Sequence, residues 1–149
     1  MKIKEIMVKD ITSLSPEMNA LDAWNVLQKM KISGLPVIDD ENKLVGMFTE
    51  KEILVKILPS YMEAVGKFVY DENPKAVKQR VLLLAKMRVR EVMRENVITV
   101  NEDTALCEVA HVMLTQKARR TPVLNEKQEI SGIVSRGDVL KALFKEYKE

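Results

Sequence analysis

Sliding the 149-residue chain over itself by 86 positions aligns two halves without a gap. Glu5-Ile6-Met7 falls on Glu91-Val92-Met93, and Pro36-Val37-Ile38 falls on Pro122-Val123-Leu124. Further on, Leu44-Val45-Gly46-Met47-Phe48 meets Ile130-Ser131-Gly132-Ile133-Val134. Thr49-Glu50-Lys51-Glu52-Ile53-Leu54 then meets Ser135-Arg136-Gly137-Asp138-Val139-Leu140. Identities are sparse, yet chemical class is kept at nearly every apolar position. The helical stripe also keeps phase. Leu106, Val109, Ala110 and Met113 occupy one face of a helix at i, i+3, i+4 and i+7, and their partners Ala20, Ala23, Trp24 and Leu27 are apolar at all four positions. A chain that encodes one unit twice has to fold that unit twice, so the repeat restricts the architecture before any single element is assigned.

Each half reads as the same string of elements. A short extended segment, Thr12 to Leu14 or Ile98 to Val100, leads into a helix start, capped by Asn19 in the first copy and by Thr104 or Asp103 in the second. A β-rich pair follows: Leu35 to Ile38 and Leu44 to Phe48 around the polar turn Asp39 to Lys43, and Pro122 to Leu124 and Ile130 to Val134 around Asn125 to Glu129. A second helix closes each copy, Glu50 to Leu58 and Arg136 to Tyr147. The order β-α-β-β-α, written twice, predicts an α/β (α+β) protein. Residues 1–58 form repeat 1, 59–87 an insert, and 88–149 repeat 2. Within the insert, Asn73-Pro74 predicts a helix start running to about Met87, while Tyr61 to Tyr70 is compatible with more than one conformation.

Composition removes several classes of function. One Cys excludes a disulfide within the chain, and one Cys plus one His cannot build a metal site of the Cys/His kind. Cys107 and His111 stand one helical turn apart, but nothing supplies the orienting group and oxyanion site that a nucleophilic pair requires, and their repeat partners are Leu21 and Asn25. The expectation is a protein that is not an enzyme. Twenty-four Lys plus Arg against 22 Asp plus Glu give a net charge of +2, which is no basis for general nucleic-acid binding. The longest apolar run, Val81 to Ala85, is far short of the ~20 residues of a membrane span, and Met1-Lys2-Ile3-Lys4-Glu5 lacks the apolar core of a signal peptide. These features predict a cytoplasmic protein. Six basic residues with no acid, Lys75, Lys78, Arg80, Lys86, Arg88 and Arg90, surround Val77, Val81, Leu84 and Ala85. Such a stretch serves either as a surface for membranes, acidic partners or nucleic acid or as a linker helix with its charges in water.

An extended E-I/V-M opening, an amphipathic helix, an x-x-P-V strand, an h-x-G-h-h strand and a helix opened by [ST]-x-x-[DE] resembles the cystathionine β-synthase (CBS) domain. Two copies in tandem resemble a Bateman module, and the resemblance covers about residues 1–58 and 88–147. It implies two units packed pseudo-two-fold through their sheets, with clefts between them that take adenosine compounds: AMP, ADP, ATP or S-adenosylmethionine. It also implies a homodimer, a regulatory role toward another protein exerted by conformational change, and no obligatory cofactor. The alternative is a scaffold with empty clefts that dimerises or docks a partner.

In the second repeat the resemblance points to Ser135, Arg136 and Asp138, with Asp138 accepting two ribose hydroxyls and Ser135 touching ribose or phosphate. The start of a helix favours phosphate, and Arg119, Arg120 and Arg136 are candidate partners for it. Adjacent strand residues face opposite ways, so one of Arg119 and Arg120 is expected to reach the cleft. The resemblance implies that the backbone before Pro122 helps frame the adenine, and Thr121, Pro122 and Thr99 are further candidates for the ligand. Ser135 and Asp138 also read as an ordinary helix cap. The first-repeat candidates are Thr49, Lys51, Glu52, Gly34, Leu35, Pro36 and Thr12. Here Glu52 replaces the Asp, Glu50 stands where Arg136 does, and Ser33-Gly34-Leu35 replaces Arg119-Arg120-Thr121, leaving Lys31 and Lys51 as the nearest cations. This site is expected to be the weaker one for phosphate, either empty or suited to a ligand with less negative charge.

Overall fold

The computed structural model describes residues 1–58, 61–64, 67–70 and 74–148. Both copies of the repeat fold into the expected elements. In the first, α1 (Ala20–Met30) is followed by β1 (Gly34–Ile38), β2 (Leu44–Thr49) and α2 (Glu50–Ile57), with β1 and β2 paired. In the second, β5 (Val100–Asn101), α5 (Leu106–Thr115), β6 (Arg120–Leu124), β7 (Ile130–Ser135) and α6 (Arg136–Lys148) give a sheet of order β5-β6-β7. β5 runs parallel to β6, and β6 antiparallel to β7. The extended segment of the first copy makes the matching parallel bridge, Leu14 to Val37.

The helix starts differ in chemistry. Asn19 caps α1 as expected, its Oδ1 accepting from the Leu21 and Asp22 amides at 2.9 and 3.2 Å. The cap of α5 is Ala105, which has no side chain to offer; Thr104 instead turns its Oγ1 back to accept from the Asn101 amide at 3.1 Å. Between the repeats, residues of Tyr61 to Tyr70 form a hairpin, β3 (Tyr61–Ala64) antiparallel to β4 (Lys67–Tyr70). Helix α3 covers Pro74–Leu84, and its expected cap Asn73 lies outside the described residues. It stops short of Met87 because the following carbonyls serve α1: Ala85 O accepts from Asn19 Nδ2 at 2.6 Å, and Met87 O from the Ala20 amide at 2.9 Å.

Two compact units result, and each draws on both repeats. One comprises Met1–Thr12, Asp39–Leu44 and Asn96–Glu149; the other comprises Ser13–Ile38 and Val45–Glu95. The leading segment of each repeat is therefore docked on the body of the other. The E-I/V-M openings are helical turns rather than extended: the first lead, a 3-10 turn at Ile3–Glu5, places fully buried Ile3 in a core with Leu106, Val109, Met113, Val123 and Val134. The second lead, α4 (Val89–Val92), places fully buried Val89 in a core with Ala20, Ala23, Leu27, Val37 and Phe48.

Repeat-related atoms make the same bonds in the two dockings. The Ile3 amide donates to Thr104 O at 2.9 Å, and the Val89 amide to Met18 O at 2.8 Å. Val8 and Ile133 exchange two backbone hydrogen bonds, as do Arg94 and Met47. Lys2 and Lys4 hold Asp103, while Arg88 and Arg90 hold Glu17. The Asp103 carboxyl lies below the ordinary carboxylate range, chiefly through its hydrogen bond with Lys4 and then that with Lys2.

Candidate functional site

In the second repeat, β7 ends at Ser135 and α6 begins one residue later. The Ser135 amide donates to Asp138 Oδ2 at 2.9 Å, and the Asp138 amide donates to Ser135 Oγ at 3.1 Å. This reciprocal pair satisfies two amides at the helix start and fixes the half-buried carboxylate over the first turn. No cation among the described residues forms an ion pair with Asp138. Arg120 stands opposite Ser135 in the β6–β7 ladder and is exposed, as is Arg119, whose carbonyl accepts from the Arg136 amide at 3.2 Å.

Arg136 directs its guanidinium to the end of α5, with Nε 3.1 Å from Ala118 O and Nη2 3.4 Å from Met113 O, which also accepts from the Ala118 amide. Thr121 and Pro122 are fully buried, and Thr121 shares its strand face with the core residue Val123. Thr99 is half-buried and Thr12 exposed.

The first repeat arranges a different set of groups around its carboxylate. Thr49 Oγ1 donates to Glu52 Oε2, and Arg94 Nη1 lies 3.6 Å from Glu52 Oε1. Both oxygens of Glu52 are thus engaged, and its side chain is only 12% exposed against 45% for Arg94. Lys51 is exposed, while Gly34, Leu35 and Pro36 are buried along β1. A Cβ on Gly34 would stand 2.6 Å from Thr49 Cγ2, so this strand position cannot carry a counterpart of Arg120 without displacing Thr49. The cation at Glu52 is therefore Arg94, not Lys31 or Lys51. It arrives from the second repeat's docked lead, at the position that Val8 occupies in the first.

The basic insert is partly tied into the fold. Arg80 Nη1 donates to Leu58 O at 3.0 Å, and Arg88 and Arg90 share Glu17. An apolar hollow of about 290 Å³ among α1, α2 and α3 is lined by Leu21, Trp24, Ile53, Leu54, Val81 and Leu84, among others, and by none of the named site residues. Among the described residues there is no group of three potential metal ligands of the His, Cys, Asp and Glu types, and no helix long and apolar enough to cross a membrane.

The model of the CBS domain matches this chain twice, at residues 3–59 and 89–145. An uncharacterized protein of Methanocaldococcus jannaschii, MJ1426, is 31% identical over 96% of this chain and 91% of its own length. The inosine-5'-monophosphate dehydrogenase of the same organism is 29% identical over 94% of this chain, which spans only 23% of that enzyme. Among solved structures, CBSX2 of Arabidopsis thaliana in complex with AMP superposes with a TM-score of 0.73 at 24% identity, covering 97% of this chain and 96% of that one.

Proposed function

The chain belongs to the CBS domain family, and from that premise we propose that it is a regulatory module that takes an adenosine-containing ligand and passes its presence to a partner protein. The observation that carries this reading is the Ser135–Asp138 constellation at the start of α6, met again as Thr49–Glu52 at the start of α2. A carboxylate held at a helix start has the chemistry to accept both hydroxyls of a ribose, and the exposed Arg119 and Arg120 are suited to a phosphate. The structure of a relative that holds AMP supports the same class of ligand. AMP, ADP, ATP and S-adenosylmethionine are its members, and they would act as regulatory ligands rather than cofactors. A ligand shifts such a module only by its differential affinity for two arrangements. The family matches at 3–59 and 89–145 support a domain plan of 1–58, 59–87 and 88–149.

A second reading, a docking or dimerising scaffold, draws on exposed apolar side chains of α5 and α6: Leu114 at 70%, Phe144 at 63% and Leu140. The two readings are compatible in a homodimer that also binds nucleotide. Thermal melting separates them. A native-state ligand present at roughly 100 times its Kd stabilises by about 2.7 kcal/mol and raises Tm. AMP, ADP or ATP is expected to raise Tm, Asp138→Ala to remove most of the shift, and Glu52→Ala to remove less. A panel that shifts nothing leaves the scaffold.

A further inference from the structure

The two repeats differ in the basic residues that their equivalent positions carry, and only in the first does one of them reach the carboxylate. In the second repeat the β6–β7 ladder sets Arg120 opposite Ser135, and the lead contributes Val8. In the first repeat the ladder position of Arg120 is Gly34, closed to any side chain by Thr49, and the lead contributes Arg94 instead. Arg94 is anchored by two backbone bonds to Met47, and its guanidinium rests 3.6 Å from Glu52 Oε1. We infer that Arg94 is the anion-binding residue of the first repeat: it receives the phosphate of a nucleotide whose ribose takes its place on Glu52. This rests on the nucleotide reading above and names a residue and a specificity that the reading lacks.

The exchange of partners is physically easy. The guanidinium stands 3.6 Å from a largely buried carboxylate, beyond hydrogen-bond reach, and the half-exposed Arg94 side chain loses freedom to stay there, so it can turn away at small cost. A phosphate carries more charge than a carboxylate and matches the guanidinium fork, so the released Arg94 gains by moving to it. The ribose diol in turn supplies two donors to Glu52, which keeps its hydrogen bond from Thr49. Val8, the equivalent residue in the other half, can do none of this, so the two repeats reach the same ligand chemistry by different cations.

The test compares AMP with adenosine, which differ only by the phosphate. Asp138→Ala removes the second repeat's carboxylate, leaving the first repeat as the titrated site; Asp138→Asn replaces it should the alanine variant not fold. In that background Arg94→Val is expected to weaken AMP about tenfold or more, to leave adenosine unchanged or slightly tighter, and to be partly rescued by Arg94→Lys. Equal loss of both ligands, or no change in either, overturns the inference. If the wild-type chain binds AMP and the Asp138 variant binds neither probe, the first repeat is no site and the inference alone falls. If the wild-type chain binds neither probe, the nucleotide reading falls and takes the inference with it.

Discussion

Thr121 Oγ1 is a buried side-chain oxygen without a hydrogen-bond partner, in a residue with no exposed surface. Its repeat partner is Leu35, an apolar member of the other core, so the first repeat has no such problem. Leaving a hydroxyl dry and unpaired costs about 1–3 kcal/mol. Thr121→Val keeps the shape and removes the orphan, and chemical denaturation is expected to show a gain of about 1 kcal/mol; a loss would mean that the hydroxyl has a partner. Other residue-scale details follow the repeat more faithfully. Among the described residues, the four non-glycine residues with positive φ come as two repeat pairs, Lys31 with Lys117 and Asn42 with Gln128, each pair within two degrees in φ. In the Asn42–Gln128 pair the backbone geometry is kept although the side chain is not.

At the scale of elements, the two docked leads are the fold's distinctive parts, and each passes close over a glycine. A Cβ on Gly132 would stand 2.5 Å from Met7 Sδ, and one on Gly46 would stand 2.7 Å from Met93 Sδ and 2.8 Å from the Arg94 carbonyl. A thioether can swing aside, but a carbonyl held by two backbone bonds cannot. Gly132→Ala is therefore expected to cost about 1 kcal/mol and Gly46→Ala about 2–3 kcal/mol. A double-mutant cycle with Met7→Ala should recover most of the first loss, while Met93→Ala should recover little of the second. Equal costs with equal recovery would show that the leads sit less firmly than described. Legibility in the sequence divides along the same line. The strands at 34–38, 44–49, 120–124 and 130–135 and the helix stripes follow from periodicity and turn residues, which are local signals. The destination of the leads does not, because a gapless internal alignment pairs equivalent residues without saying which body each one packs on. Arg94 was missed at Glu52 for that reason: 42 residues separate them, and only the docking of α4 brings them together. The turning of Arg136 onto the α5 carbonyls was equally hidden, since a basic residue at a helix start reads the same whether it faces a ligand or its neighbour.

Across the whole molecule, duplication has produced two bodies, neither complete without a segment of the other repeat. At Glu52 the first repeat's carboxylate is paired with Arg94 of the second lead. That arrangement suits a sensor. The carboxylates at the starts of α2 and α6 are held in place before any ligand arrives, so binding need not first order them. Calorimetric titration of the intact chain with AMP tests this account most directly. Saturable binding that Asp138→Ala weakens, with a second and weaker event at the first repeat, is the predicted result. The absence of saturable heat for AMP and every other adenosine compound at millimolar concentration would contradict it.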